Sequence, residues 1–330
     1  MVVLYLIELI NSNNWYNFQK HNKMIKKVVL ITVVIVLSCI KTQAQQDPQY
    51  TQYMYNMSIL NPAYAGSKDA LSTGLLYRKQ WVNIQGAPST FTFFGHSPIG
   101  KNVGLGLSVI SDQIGPVNEQ NIYGDFSYTL NLGEKHKIAF GIKAGATFHK
   151  VNLFSQVYTN VPDANDPAFA ENTNSSFFNI GTGIFYYTDK YYIAASVPNF
   201  MKAKYLDFDG RKFGTEEKHY FITGGYVFTI NPNFKLKPFA MAKSSFKSPV
   251  SIDASMNALL NNKLEFGITY RLEDSFGTMI NFAINPNLRI GYAYDHLMSD
   301  LKVSTTSSHE IILLYDINFS KKVSSSARFF

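Results

Sequence analysis

KLEFGITYRLE, Lys263–Glu273, alternates without a break. Leu264, Phe266, Ile268, Tyr270 and Leu272 hold one set of positions, and Lys263, Glu265, Gly267, Thr269 and Arg271 the other. A period of two is that of a β-strand, which sends successive side chains to opposite faces. The second face decides the class. Glycine and threonine mixed with Lys, Glu and Arg make a poor core for a soluble sandwich. They suit the polar lumen of a transmembrane barrel whose other face meets lipid.

The same pattern continues on the C-terminal side. Phe276, Thr278, Ile280, Phe282 and Ile284 oppose Gly277, Met279, Asn281, Ala283 and Asn285. Leu288, Ile290, Tyr292 and Tyr294 then oppose Arg289, Gly291, Ala293 and Asp295. Runs of about ten residues match the length that a tilted strand needs to cross a bilayer. The last run, HEIILLYDINF at His309–Phe319, puts Ile311, Leu313, Tyr315, Ile317 and Phe319 on one face. Such a strand is expected to close against the first and leave no edge in lipid. Residues 320–330 would follow as a basic periplasmic tail.

Counting from about Ala70, the periodicity gives roughly fourteen strands. Six connections are short turn-forming clusters: Ser97–Lys101, Leu132–Lys135, Thr188–Lys190, Asn231–Asn233, Asn261–Lys263 and Asn285–Asn287. Those between them are mostly longer, notably Val151–Asn174, Pro198–Glu217 and Leu297–Ser307, with Glu273–Ser275 a short exception. Outer-membrane barrels have short periplasmic turns and longer surface loops. A periplasmic start gives the same parity. The expected fold is therefore an all-β outer-membrane barrel over residues 70–319, preceded by a periplasmic or lumenal segment over residues 45–69.

Composition agrees. Phe and Tyr number 26 and 21, against 2 Trp. The net charge of +7 owes much to residues 1–44, which carry five lysines against Glu8. The remainder holds 25 basic and 22 acidic residues, with no basic stripe that would support nucleic-acid binding. The single cysteine, Cys39, lies in the segment expected to be removed, so no disulfide is expected.

That segment reads as a secretory signal. Met24-Ile-Lys-Lys precedes the apolar run Val28–Leu37, and Thr42-Gln-Ala44 supplies small residues for cleavage after Ala44. The run is too short for a transmembrane helix. Cys39 loosely matches a lipoprotein box, but Thr42–Ala44 serves the ordinary signal peptidase better. Met24 is the expected start codon, with residues 1–23 an upstream extension; the alternative is a start at Met1 with a longer n-region.

No constellation for catalysis emerges. Histidines 96, 136, 149, 219, 296 and 309 form no ligand spacing, and no G-x-S-x-G elbow occurs. Asp295-His296 has no nucleophile tied to it. Asp163, Asp166 and Glu171 lack the calcium-loop pattern and read as a solvated acidic loop. Gly104, Gly106, Gly181, Gly183, Gly224 and Gly225 fall inside strands, where they let the strand bend or another backbone approach. No enzyme activity, cofactor or metal is expected.

QQDPQYTQYMYNMSILNPAYAG, Gln45–Gly66, fits neither a soluble helix nor an acidic tail. Asp47–Tyr53, Asn56 and Asn61-Pro-Ala-Tyr-Ala-Gly66 closely resemble the start of the PorP/SprF family. Tyr77-Arg-Lys-Gln-Trp81, Gly86–Thr90, Gly104-Leu-Gly106 and Asp112–Pro116 match in order. Ala327-Arg-Phe-Phe330 resembles the family's Pro-Arg-aromatic-Phe ending, with Ala327 in place of Pro. The resemblance spans Gln45–Phe330. It implies an outer-membrane barrel of about fourteen strands, linked to the type IX secretion and gliding machinery of Bacteroidetes. The implied partners are secreted adhesins with a type IX C-terminal domain, or periplasmic secretion components.

Two segments are candidates for partner binding. Tyr50, Tyr53, Tyr55, Asn61, Pro62, Tyr64 and Gly66 are expected to fold into or beneath the barrel mouth, or else to form a periplasmic leader ending in an aromatic girdle. In the first outer loop, Gln80–Ser89, Trp81 and Ile84 are either interface anchors or members of the membrane-interface belt. A solute channel is the competing function, with Lys143, Glu265, Arg271, Arg289 and Asp295 lining a pore.

Overall fold

The computed structural model describes residues 49–152, 173–201, 204–208, 211–215, 218–245, 249–299 and 307–318. The signal region, the acidic loop with Asp163, Asp166 and Glu171, Asp47, Phe319 and the tail with Ala327–Phe330 lie outside them.

Strands begin where the alternation predicts, with β1 (Ala70–Lys79), β2 (Ser89–Pro98) and β3 (Val103–Ile114). β4 (Val117–Asn131), β5 (Lys137–Val151) and β6 (Thr173–Tyr187) are the longest, at 15 residues each. β7 (Tyr191–Val197) precedes a separate hairpin of β8 (Lys204–Phe208) and β9 (Arg211–Thr215). β10 (Tyr220–Tyr226) and β11 (Phe228–Asn231) follow, then β12 (Phe234–Ser244) and β13 (Ser251–Leu260). β14 (Leu264–Arg271), β15 (Ser275–Ala283), β16 (Leu288–Leu297) and β17 (Ser307–Asn318) complete the wall.

Neighbours pair antiparallel in chain order. β10 bonds both β7 and β12, with β11 pairing β12 after a break at Val227. Taken as one wall strand, β10 and β11 bring the barrel to fourteen strands. β1 pairs β17 from Ala70 opposite Asn318 to Lys79 opposite His309, which closes the wall. A closed wall leaves no unpaired backbone in lipid.

The outer face is apolar: Ile268, Ile280, Phe282 and Ile311 are exposed. Their inward neighbours Gly267, Met279, Asn281 and Glu310 are buried, as alternation requires. Aromatic side chains gather outside at the short-turn end, where the rings of Tyr191 and Tyr226 stack at 6.1 Å. That is the position of an interfacial girdle. The six short turns fall where expected. One tight turn was not anticipated: Gly115-Pro116 joins β3 to β4 on the long-loop side, with Gly115 at φ +54°.

Among the described residues no helix is long and apolar enough to cross a membrane.

Candidate functional site: a stoppered lumen

The core of this barrel is its own N-terminal segment. Tyr50–Ala65 lies inside the wall with nearly every residue buried. It takes helical turns at Tyr53–Tyr55, Met57–Leu60 and Pro62–Tyr64. The segment starts beside residues at the long-loop ends of their strands, among them Arg78 and Arg271. It finishes at the short-turn rim, where Gly66 sits against Gly104 and Pro98. It therefore runs through the lumen, well past the mouth.

Asn61 and Pro62 explain the Asn-Pro pair. Proline occupies the first helical position, where its missing N–H costs nothing, and Asn61 Oδ1 accepts from Ala63 N at 2.9 Å. The same amide donates to the carbonyls of Ile184 and Ala195, at 3.1 and 3.4 Å, binding the turn to β6 and β7. Gly66 follows at φ +69°, a conformation that favours glycine, and turns the chain towards β1.

The wall is shaped to receive this turn. Gly104, Ser127, Gly141, Gly183 and Ser196 are successive partners across β3 to β7, so they form one row on the inner face. A Cβ on Gly141 would collide with Pro62 and Ala63, one on Gly183 with Asn61, and one on Gly104 with Ala65. Between the glycines, Ser127 Oγ donates to the Ala65 carbonyl at 2.6 Å and Ser196 Oγ to that of Leu60 at 2.7 Å. Gly104 and Gly141 admit the segment's backbone, Gly183 admits the Asn61 side chain, and the serines satisfy carbonyls.

At the other end the anchor is ionic. Arg78 on β1 bridges Asp295 on β16 (2.7 Å) and Glu310 on β17 (3.1 Å). The Glu310 carboxylate accepts from the backbone N–H groups of both Thr51 and Gln52, each at 2.9 Å. Thr51 Oγ1 donates to Asp295 at 2.6 Å and accepts from Arg78 at 2.9 Å. Arg271 holds Asp253 at 3.0 Å and reaches the Tyr50 carbonyl at 3.5 Å. Charge-assisted bonds of this kind are the stronger class.

The tyrosines contact the wall rather than a free surface. Tyr50 shares a hydrogen bond with Thr92 (2.9 Å), and the Tyr55 hydroxyl accepts from Asn281 (2.9 Å). Tyr53 packs edge-on to Phe239, and Tyr64 edge-on to His96 and Phe185. Lys143, Glu265, Arg271, Arg289 and Asp295 do face inward, but the first four pair with Asp125, Arg289, Asp253 and Glu265, and Asp295 with Arg78. Arg78, Asp253 and Glu310 were missed from sequence, although the parity of Ile311 and Leu313 already turns Glu310 inward.

Asp295 and His296 sit on opposite faces of β16, one buried and one exposed, so they form no dyad. Among the described residues no group of three or more His, Cys, Asp or Glu could hold a metal ion. In the first outer loop Trp81 and Ile84 are half-buried. Trp81 N donates to Ser308 Oγ and Val82 N to the Ser307 carbonyl, tying the loop to β17. Trp81 and Asn83 take positive φ, +48° and +81°.

A closed antiparallel wall with an apolar exterior and a polar lumen defines an outer-membrane β-barrel. The solved CymD monoaromatic hydrocarbon channel resembles it with a TM-score of 0.50 at 14% identity, over 82% of this chain and 93% of that one. The P. putida toluene transporter TodX (TM-score 0.47, 10% identity, 81% and 95% covered) and a Pseudomonas aeruginosa FadL homologue (0.44, 11%, 83% and 95%) are looser likenesses. At 14% identity the likeness to CymD is one of fold. The search of curated proteins finds no match. The model of the family described as type IX secretion system membrane protein PorP/SprF matches residues 42–315, and the chain belongs to that family.

Proposed function

We propose that this protein is a non-enzymatic adaptor of type IX secretion, a barrel that supports the export or surface anchoring of partner proteins such as gliding adhesins. The observation that carries this reading is the filled lumen. A wall occupied by the chain's own segment, Gln49–Gly66, from the level of Arg271 to the short-turn rim, serves a scaffold better than a standing pore. Family membership supplies the class of partner: secreted cargo or secretion-system components.

The first outer loop is the partner surface this reading favours. A tryptophan at positive φ is strained, by about 1–3 kcal/mol, and strain of that kind persists where surrounding structure holds it for a purpose. Trp81 and Ile84 supply apolar contact beside the polar Asn83 and Gln85. Affinity purification from native outer membrane in gentle detergent, followed by mass spectrometry, tests the reading. A large secreted surface protein or periplasmic secretion components should accompany the barrel. A barrel recovered alone that conducts ions continuously would be a channel instead.

A further inference from the structure

The inner wall is charged, and part of that charge holds the segment, through Glu310, Asp295, Arg78 and Arg271 at Tyr50–Gln52 and Lys143 at the Ser58 carbonyl. Among the described residues, five basic and six acidic side chains on the strands are buried. The ion pairs resolved there join wall to wall: Arg78 to Asp295 and Glu310, Lys143 to Asp125, Arg271 to Asp253, and Arg289 to Glu265. Gln49–Gly66 has no charged side chain at all. Withdrawing it would therefore break hydrogen bonds and apolar contacts but no ion pair, and the closed wall would remain. The wall charges would regain water, which relieves their desolvation.

The segment itself is imperfectly satisfied. Gln52 is fully buried and Asn56 nearly so, and the side-chain amides of both have no hydrogen-bond partner among the described residues. A buried amide without a partner opposes its own burial. Two sets of forces thus act on the segment. The glycine–serine row and the Glu310 carboxylate hold it, while the unmet amides and dehydrated wall charges favour its departure. Gly66, at positive φ on the short-turn rim, is where it would pivot.

We propose that Gln49–Gly66 is a displaceable stopper, and that the barrel has a second activity as a gated conduit for small hydrated ions and polar solutes. The near balance of buried charge gives the open state weak ion selectivity. This goes beyond the adaptor reading and does not depend on the partner.

The test is conductance of the purified full chain in planar bilayers. The resting protein should be closed for long intervals, with discrete openings under applied voltage. A Thr51→Cys/Gly277→Cys pair should lock the far end, because a Cβ on Gly277 would lie 3.2 Å from Thr51 Cγ2, with the Asp295 carboxylate, 2.6 Å from that Cβ, shifting aside. The cross-linked protein should fall silent and conduct again after reduction. Gln52→Leu with Asn56→Leu removes the unmet amides and should lower the open probability about tenfold in a protein that still folds. Conductance that persists through the cross-link, openings that become commoner in the leucine variant, or a reduced chain silent at every voltage would each overturn the proposal. A silent chain that still captures partners would leave the adaptor reading standing.

Discussion

Arg78 is the residue on which most of the lumen's upper anchor converges. It is almost fully buried between two carboxylates from two other strands. Removing one partner of a buried ion pair leaves uncompensated charge, at a cost of about 3–5 kcal/mol. Arg78→Ala should therefore destabilise the barrel by that order, read as a lower temperature at which the folded band is lost on semi-native gels. Glu310→Gln keeps the shape and one carbonyl acceptor but loses the charge that the Thr51 and Gln52 amides meet. Its expected effect is a milder loss of about 1–3 kcal/mol, with the segment more open to protease than the strands. An unchanged melting temperature in Arg78→Ala would show that the pair is not formed.

At the scale of elements, the glycine–serine row makes a sharper distinction between wall and stopper. Gly141→Val places a side chain where Pro62 and Ala63 lie, while the backbone pairing of that position with Ser127 and Gly183 needs no particular side chain. The barrel should assemble with its N-terminal segment expelled and protease-sensitive. Gly224→Ala is the control, since its Cβ would meet nothing nearer than 3.4 Å, and should leave both intact. In the outer loop, Trp81→Ala should lower partner retention while the barrel folds normally. Unchanged retention would place Trp81 in the membrane-interface belt.

The elements also show what sequence could carry. Period-two runs such as Leu264–Arg271 identified strands, faces and turn positions, because alternation is local. Gly104 and Gly183 stood out as places where a strand bends or another backbone comes close; the Ala65 backbone does approach Gly104, whereas Gly183 admits the Asn61 side chain. The row they belong to was not legible, since Gly141 joins it only through the register of β5 with β6. Cross-strand ion pairs failed for the same reason: Arg78 and Glu310 meet only when the last strand closes on the first. The interruption at Val227 and the tight Gly115-Pro116 turn gave no signal in a scheme that expects uniform strands and long outer loops.

For the whole molecule, the consequence is a division of labour. The wall supplies closure and lipid contact, the N-terminal segment occupies the lumen, and the outer loop holds the half-buried Trp81 and Ile84 beside β17. The central claim is that Gln49–Gly66 fills the lumen in the resting protein, and limited proteolysis in outer-membrane vesicles opened to the periplasm tests it most directly. The account predicts that bonds between Tyr50 and Met57 resist cleavage for as long as the barrel itself stays folded. Rapid cutting there, in a barrel whose folded band is unchanged, would contradict it.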